Sequence, residues 1–184
     1  MHRTVTLCLA LLAQSTALTV GVTGAGGKTG SLCYQQLAAD SRVDAAIPFV
    51  RDASSKKTLK VLPDAPLVEA DVTGSASAFA AVLKEKKVDA LLIATSAVPQ
   101  IKKRSIAKVL LLKLIPFVKG GRPEFRFRPG GTPEEVDWVG QKAQIDAAKE
   151  AGVKHVVICS SMGGTQPQNF LNTIGQQADG SGGL

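Results

Sequence analysis

Five short apolar runs recur along the chain: Leu18 to Thr23, Ala45 to Val50, Pro66 to Ala70, Val88 to Thr95 and His155 to Cys159. Each has the length and bounded apolar character of a buried strand. Between them the pattern changes to helical spacing. Lys28 to Ala39 reads as a first helix. Ser75 to Lys87 reads as another, with Phe79, Val82 and Leu83 on one face. Thr132-Pro133-Glu134-Glu135 is a helix start, with Thr132 and Glu135 as a capping box and Pro133 in the first turn. Val136, Val139 and Ala143 are expected to face inward from that helix, and Gly152 to end it. Strands alternating with helices predict an α/β fold with a doubly wound parallel sheet, strand order 3-2-1-4-5. The near-continuous apolar character of Val88 to Thr95 fits a strand covered on both faces. His155 opens what reads as a buried strand, so its expected role is structural.

The turn after the first strand carries the chemistry. Thr23-Gly24-Ala25-Gly26-Gly27-Lys28-Thr29-Gly30 places Gly24, Gly27 and Gly30 three residues apart, between a strand and a helix. A dinucleotide site needs this arrangement. The first glycine turns the chain sharply and the next lets backbone approach a pyrophosphate. The last lets the helix pack close, with its amino end toward the phosphates. Gly27-Lys28-Thr29 resembles the end of a triphosphate-binding loop, but that pattern needs glycine at position 22, where the chain has Val22. Arg51 follows the second strand, where an arginine accommodates a 2′-phosphate, and Lys56 and Lys57 are close in sequence. NADP is therefore the expected cofactor rather than NAD. A strand end one residue later would put Asp52 there and reverse the preference. Asp71, after the third strand, is placed either to accept from an adenine amino group or to cap the next helix. Thr95-Ser96-Ala97 leaves the carboxyl end of the fourth strand, where ligands sit in such sheets.

Charge adds one local feature. The chain has 184 residues, 45% of them hydrophobic, and a net charge of +7. Residues 101 to 128 hold nine basic residues against Glu124 alone, so the remainder is near neutral. The basicity is local, and aromatics are only 4%, which argues against a nucleic-acid binder. The basic insertion 101–128 reads as a solvated helical insertion, a lid, a membrane-surface patch or a protein-docking patch. Glu124 to Arg128 alternates like a strand with one apolar and one basic face. Cys8, Cys33 and Cys159 lack metal-ligand spacing, and no disulfide framework is expected. Residues 1–17 read as a targeting segment: Arg3, an apolar stretch from Val5 to Ala13, and small residues up to Ala17. This implies secretion or import into a plastid through the secretory route. A misassigned start codon would instead leave the protein cytoplasmic. Residues 18–164 form the expected domain and 165–184 a flexible tail.

The glycine loop, Thr95 to Pro99, Gly120 to Phe125, Val136-Asp137-Trp138-Val139-Gly140-Gln141 through Lys149, and Ser161-Met162-Gly163-Gly164 together resemble the plant and algal atypical short-chain dehydrogenases. The resemblance runs from about Leu18 to Asn172. It implies an NAD(P)-binding Rossmann domain related to NmrA-like proteins, and an oxidoreductase acting on a small carbonyl or quinone-like substrate. By position it implies that the loop from Gly24 through Ala25, Gly26, Gly27, Lys28 and Thr29 to Gly30 faces the pyrophosphate. Arg51 would face the 2′-phosphate, Asp71 and Val72 the adenine, and Thr95, Ser96 and Ala97 the ribose. Ser160 and Ser161 would lie on the nicotinamide side, Ser161 polarising a substrate carbonyl. Three departures stand out. The stretch after Pro99 is longer and more basic than the family's pattern. The family's further C-terminal strands are expected to be missing from this chain. The usual Tyr-x-x-x-Lys pair is absent: Tyr34 is the only tyrosine, with Ala38 four residues on. A non-catalytic NADP-binding module, sensing redox state or docking a partner, is therefore the alternative expectation.

Overall fold

The structure, a computed structural model, describes residues 18–113, 124–160 and 166. Strand β1 (Thr19–Thr23) leads through the glycine turn into α1 (Lys28–Ala39), and β2 (Ala45–Val50) and α2 (Lys56–Val61) follow. Next come β3 (Val68–Glu69), α3 (Ala76–Glu85) and β4 (Ala90–Ile93). A small ribbon, β5 (Gln100–Ile101) and β6 (Phe125–Arg126), flanks α4 (Lys103–Lys113). A π-helical segment (Glu134–Gly140), α5 (Gln141–Ala151) and β7 (His155–Ile158) close the described chain. Five strands pair in parallel in the order β3-β2-β1-β4-β7. This is the expected 3-2-1-4-5 sheet, with β7 as its fifth strand because the ribbon takes two numbers. Val22 lies beside Pro48 on one side and Leu92 on the other.

Strand side chains alternate between faces, so one sheet feeds two cores. Phe49, Leu91 and Ile93 pack with Phe79, Ala80 and Leu83 of α3 and Ala147 and Ala148 of α5. The Phe49 and Phe79 rings meet edge to face, 5.3 Å between centroids. On the other face Val22, Ala25, Val50 and Leu62 form a smaller core with Tyr34 and Leu37. Helices thus cover both faces, which is what parallel strands demand.

Three expectations need correction. The strand from Pro66 shrinks to Val68–Glu69, because Pro66 has no amide to donate and Leu67 N–H turns back to the Ala65 carbonyl at 2.8 Å. The strand at His155 is exposed rather than buried, with Val157 57% exposed. β7 sits at the sheet edge, and among the described residues its one extensive neighbour is β4. Val139 is 52% exposed instead of inward. The buried stripe runs through Val136 and Gly140 of the π-helical segment and on through Gln144 and Ala148 of α5, and the wider π-helical turn leaves Val139 outside it. The capping box forms as expected: the Glu135 carboxylate accepts from Thr132 N–H at 3.0 Å, and Thr132 Oγ1 accepts from Glu135 N–H at 3.2 Å. The alternation read from Glu124 to Arg128 yields only β6, and both its residues are exposed because its one partner is β5.

The amino end of the sheet is fastened by Asp89. Its carboxylate accepts from Thr19 N–H at 3.1 Å and from Lys154 Nζ at 2.7 Å. Its carbonyl accepts from Lys154 N–H at 2.8 Å. One residue thereby joins the starts of β1, β4 and β7. The Lys154 ammonium first, and the Thr19 amide second, hold the Asp89 carboxyl below its ordinary value of 3.8. A depressed carboxylate stabilises the fold above its unfolded value, and that contribution is lost as pH falls through the folded value. Asp89→Asn is expected to lower Tm at pH 7 by roughly a few degrees, and to flatten the decline of Tm below about pH 4. Thermal melts of both proteins from pH 7 to 3 check this; parallel curves would count against the clamp.

Candidate functional site

The glycine turn has three differently built positions. Gly24 has φ +69°, and a Cβ there would lie 2.6 Å from the Ala94 carbonyl oxygen. It must be glycine both for its backbone and because β4 passes close. Gly30 is buried, and a Cβ on it would collide with the carbonyl of Gly24, so α1 touches the turn backbone to backbone. A Cβ on Gly27 would meet only the Gly24 oxygen, at 3.1 Å, and otherwise open space. The protein therefore leaves one side of Gly27 open, as a backbone approached by a ligand requires. Gly27 is also the residue before α1, and no side chain caps the helix there. No acidic side chain occupies the first turn either. The amides of Lys28, Thr29 and Gly30 have no acceptor within the helix, and Lys28 and Thr29 are exposed. This is a positive, donor-rich helix end of the kind that binds phosphate. Ala25 is buried in the smaller core, its N–H on the Phe49 carbonyl at 3.3 Å. Gly26 backs onto Thr58 of α2, a helix the sequence reading did not anticipate. Buried Thr58 and Leu62, four residues apart, were its signal.

Arg51 is exposed at the end of β2, and Lys56 and Lys57 open α2 beside it in sequence. Asp52 is turned away into its own loop: its carboxylate accepts from Ser54 N–H at 2.9 Å and the Ser54 hydroxyl at 2.7 Å. Asp71 accepts in the same way from Thr73 N–H at 2.9 Å and the Thr73 hydroxyl at 2.7 Å. The hydroxyl, then the amide, and to a lesser degree the Arg51 charge hold its carboxyl below the ordinary range. Asp71 does not cap α3, whose N-cap is Ser75. Half-buried Val72 lies against Gly140, where a Cβ would come 3.7 Å from the Val72 carbonyl.

Across the sheet, Thr95, Ser96, Asp137, Gln141, Cys159 and Ser160 line a cavity of about 250 Å³. It lies at the carboxyl ends of β4 and β7. Ala97 N–H donates to Asp137 at 3.0 Å, which fixes the strand exit to the π-helical segment. Gln144 is fully buried and ties the site together. The Thr23 hydroxyl donates to its amide oxygen at 2.7 Å. Its amide nitrogen donates to the Thr95 hydroxyl and the Gly140 carbonyl, both at 3.1 Å. Asp137, Gln141 and Gln144 lie in the run that carries the family resemblance, but sequence assigned none of them a role in the site. The signal for Gln144 was a polar residue on the inward stripe. Ser161 lies outside the described residues, as do residues 1–17, 114–123 and the tail apart from Gln166.

A profile described as NAD(P)H-binding matches residues 24–178. The chain belongs to the NAD(P)H-binding family. It is 44% identical over 174 residues to an uncharacterized chloroplastic protein of Arabidopsis thaliana, covering 95% of this chain and 49% of the relative. It is 36% identical over 169 residues to sanguinarine reductase of Eschscholzia californica, covering 88% and 60%. The chain thus spans about half to three-fifths of the curated relatives it matches. Among solved structures, Bordetella bronchiseptica WbmG in complex with NAD superposes with TM-score 0.53 at 16% identity, over 80% of this chain and 39% of that one. UDP-glucose 4-epimerase of Thermotoga maritima gives 0.52 at 16%, over 80% and 38%. These neighbours share the fold expected from the alternating strands and helices. The cradle itself fits the group the family binds, since the donors and the open glycine face are in place.

Two glycine substitutions are expected to separate. Gly27→Val should leave Tm within about 2 °C and weaken dinucleotide binding by about a hundredfold or more. Gly30→Val should destabilise the fold by about 3 kcal/mol or more, since backbone must move. Fluorescence titration with NADPH and urea unfolding check the pair. Equal loss of stability in both would mean that Gly27 is only a turn.

Proposed function

We propose that this protein is an NADP-dependent reductase of a small carbonyl or quinone-like substrate. The observation that carries the reading is that the open glycine cradle and the polar cavity share the carboxyl end of the sheet. They flank the break in strand order between β1 and β4, where open α/β sheets bind ligands. A bound NADPH would supply hydride. The α1 amides with Gly27 would bind its pyrophosphate, and Asp71 and Val72 would lie along its adenine. Thr95, Ser96 and Ala97 would line its ribose. Ser160 would stand on the nicotinamide side, where Asp137, Gln141 and Cys159, which line the same cavity, would complete a polar rim able to orient a carbonyl. Ser161, next in the chain, is the proposed polarising hydroxyl. The name of sanguinarine reductase supports a reductase, and the chloroplastic relative supports a plastid location for this chain.

The preference for NADP rests on Arg51 and Asp52. The guanidinium is exposed at the strand end, and the neighbouring carboxylate is engaged by Ser54, so a phosphate is favoured there over a ribose diol. A second reading is a binding module that does not turn over. Tyr34 favours it, because it packs against the smaller core from α1, and among the described residues no phenol lines the cavity.

Arg51→Ala is expected to weaken NADPH binding about tenfold to a hundredfold and to leave NADH binding nearly unchanged. Equal losses for both cofactors would remove the 2′-phosphate assignment. Turnover of NADPH with model quinones and aldehydes separates reductase from module; none with any acceptor, despite tight binding, would favour the module.

A further inference from the structure

The ribbon β5–β6 and α4 form a unit that the cofactor site does not use. Ser105 joins them. Its hydroxyl donates to the Lys102 carbonyl at 2.7 Å and accepts from Glu124 N–H at 2.9 Å. With Ser105 buried, the side of α4 carrying Ile106 and Leu110, four residues apart, is turned outward. Leu110 is 59% exposed and the adjacent Leu111 67%. On the ribbon, Ile101 and Phe125 are a cross-strand pair and both are exposed. Single exposed apolar residues are ordinary, whereas a group of them on one helix and its neighbouring ribbon is a candidate docking surface.

The charge of the described part of this unit says by what. Lys102, Lys103, Arg104, Arg126 and Arg128 stand against one acid, Glu124, which is 2.8 Å from Lys102. Lys103 and Arg104 are exposed on the helix that carries Leu110 and Leu111, and Arg126 and Arg128 are exposed on the segment that carries Phe125. Along α4 the sequence interleaves lysine with leucine and isoleucine. Protein interface cores are depleted of lysine, whereas this surface carries exposed Lys102 and Lys103. A helix lying at a bilayer surface wants this composition: aliphatics enter the acyl boundary while long basic stems reach anionic headgroups. With 11 residues, α4 is too short to cross about 30 Å of hydrocarbon. No described helix is long and apolar enough to cross a membrane.

We propose that α4 and the β5–β6 ribbon dock this protein peripherally on an anionic lipid surface, with the Leu110–Leu111 edge inserted and the arginines of the ribbon on the headgroups. The test is flotation of the 184-residue chain with phosphatidylcholine vesicles containing about 30% phosphatidylglycerol, at about 0.15 M salt, against pure phosphatidylcholine. The chain is expected to float with the anionic vesicles only. Arg126→Ala/Arg128→Ala should lower the partition coefficient about thirtyfold. Leu110→Ser/Leu111→Ser should lower it about tenfold or more with every charge kept. Both pairs are exposed, and thermal melts establish that each variant is folded. Failure of the wild-type chain to float would overturn the proposal. So would flotation indifferent to the leucine pair, which would leave only a polycation suited to an acidic protein.

Discussion

The close approach of α1 to the end of β1 is the constraint on which the rest depends. Helix and strand meet through the backbone, with Gly30 against the carbonyl of Gly24 and Gly24 against the carbonyl of Ala94. A helix held at side-chain distance would carry its amino end away from the sheet. Here it is held in, and its unpaired amides stand beside the open face of Gly27. The same turn places Ala25 in the smaller core and Gly26 against Thr58, so α2 and the Arg51 loop take their positions from it. Packing, turn and anion site are one geometric solution.

A second device spans the sheet. Gln144 comes from the helix that follows the π-helical segment, yet it bonds the ends of β1 and β4. Thr23 precedes the glycine turn and Thr95 opens the cavity rim, so a buried amide holds the two halves of the site in register. A charged residue there would carry a large desolvation cost, whereas an amide satisfies two hydroxyls and a carbonyl at no such cost. The extra residue per turn in the π-helical segment aligns Gln144 with Val136 and Gly140 on the inner stripe, and Asp137 with Ala97.

Much of this was legible in the residues because it is local. The limits of α1 and β2, the turn at Gly24, the close helix packing at Gly30 and the capping box at Thr132 follow from neighbours a few positions apart. The contacts that assemble the cavity do not. Asp137 meets Ala97 across 40 positions, and Gln144 meets Thr23 across 121. A polar residue on an inward stripe shows that something must satisfy it, not what. The outward turn of Val139 was hidden because periodicity is read at 3.6 residues per turn, and the π-helical segment breaks that period. The exposure of β7 was hidden because Val156, Val157 and Ile158 read as equally apolar whether or not anything covers them. Asp52 is the converse: sequence left it competing with Arg51, and a two-residue loop to Ser54 separates them.

The central claim is that the amides at the start of α1 are the anion cradle of a dinucleotide site. The most direct measurement is the amide spectrum of the isotope-labelled chain during titration with NADPH. The account predicts that the largest shifts fall on Gly27, Lys28, Thr29 and Gly30, saturating together with shifts at Thr95 and Ser96. Saturable binding that leaves those four amides unmoved would contradict it.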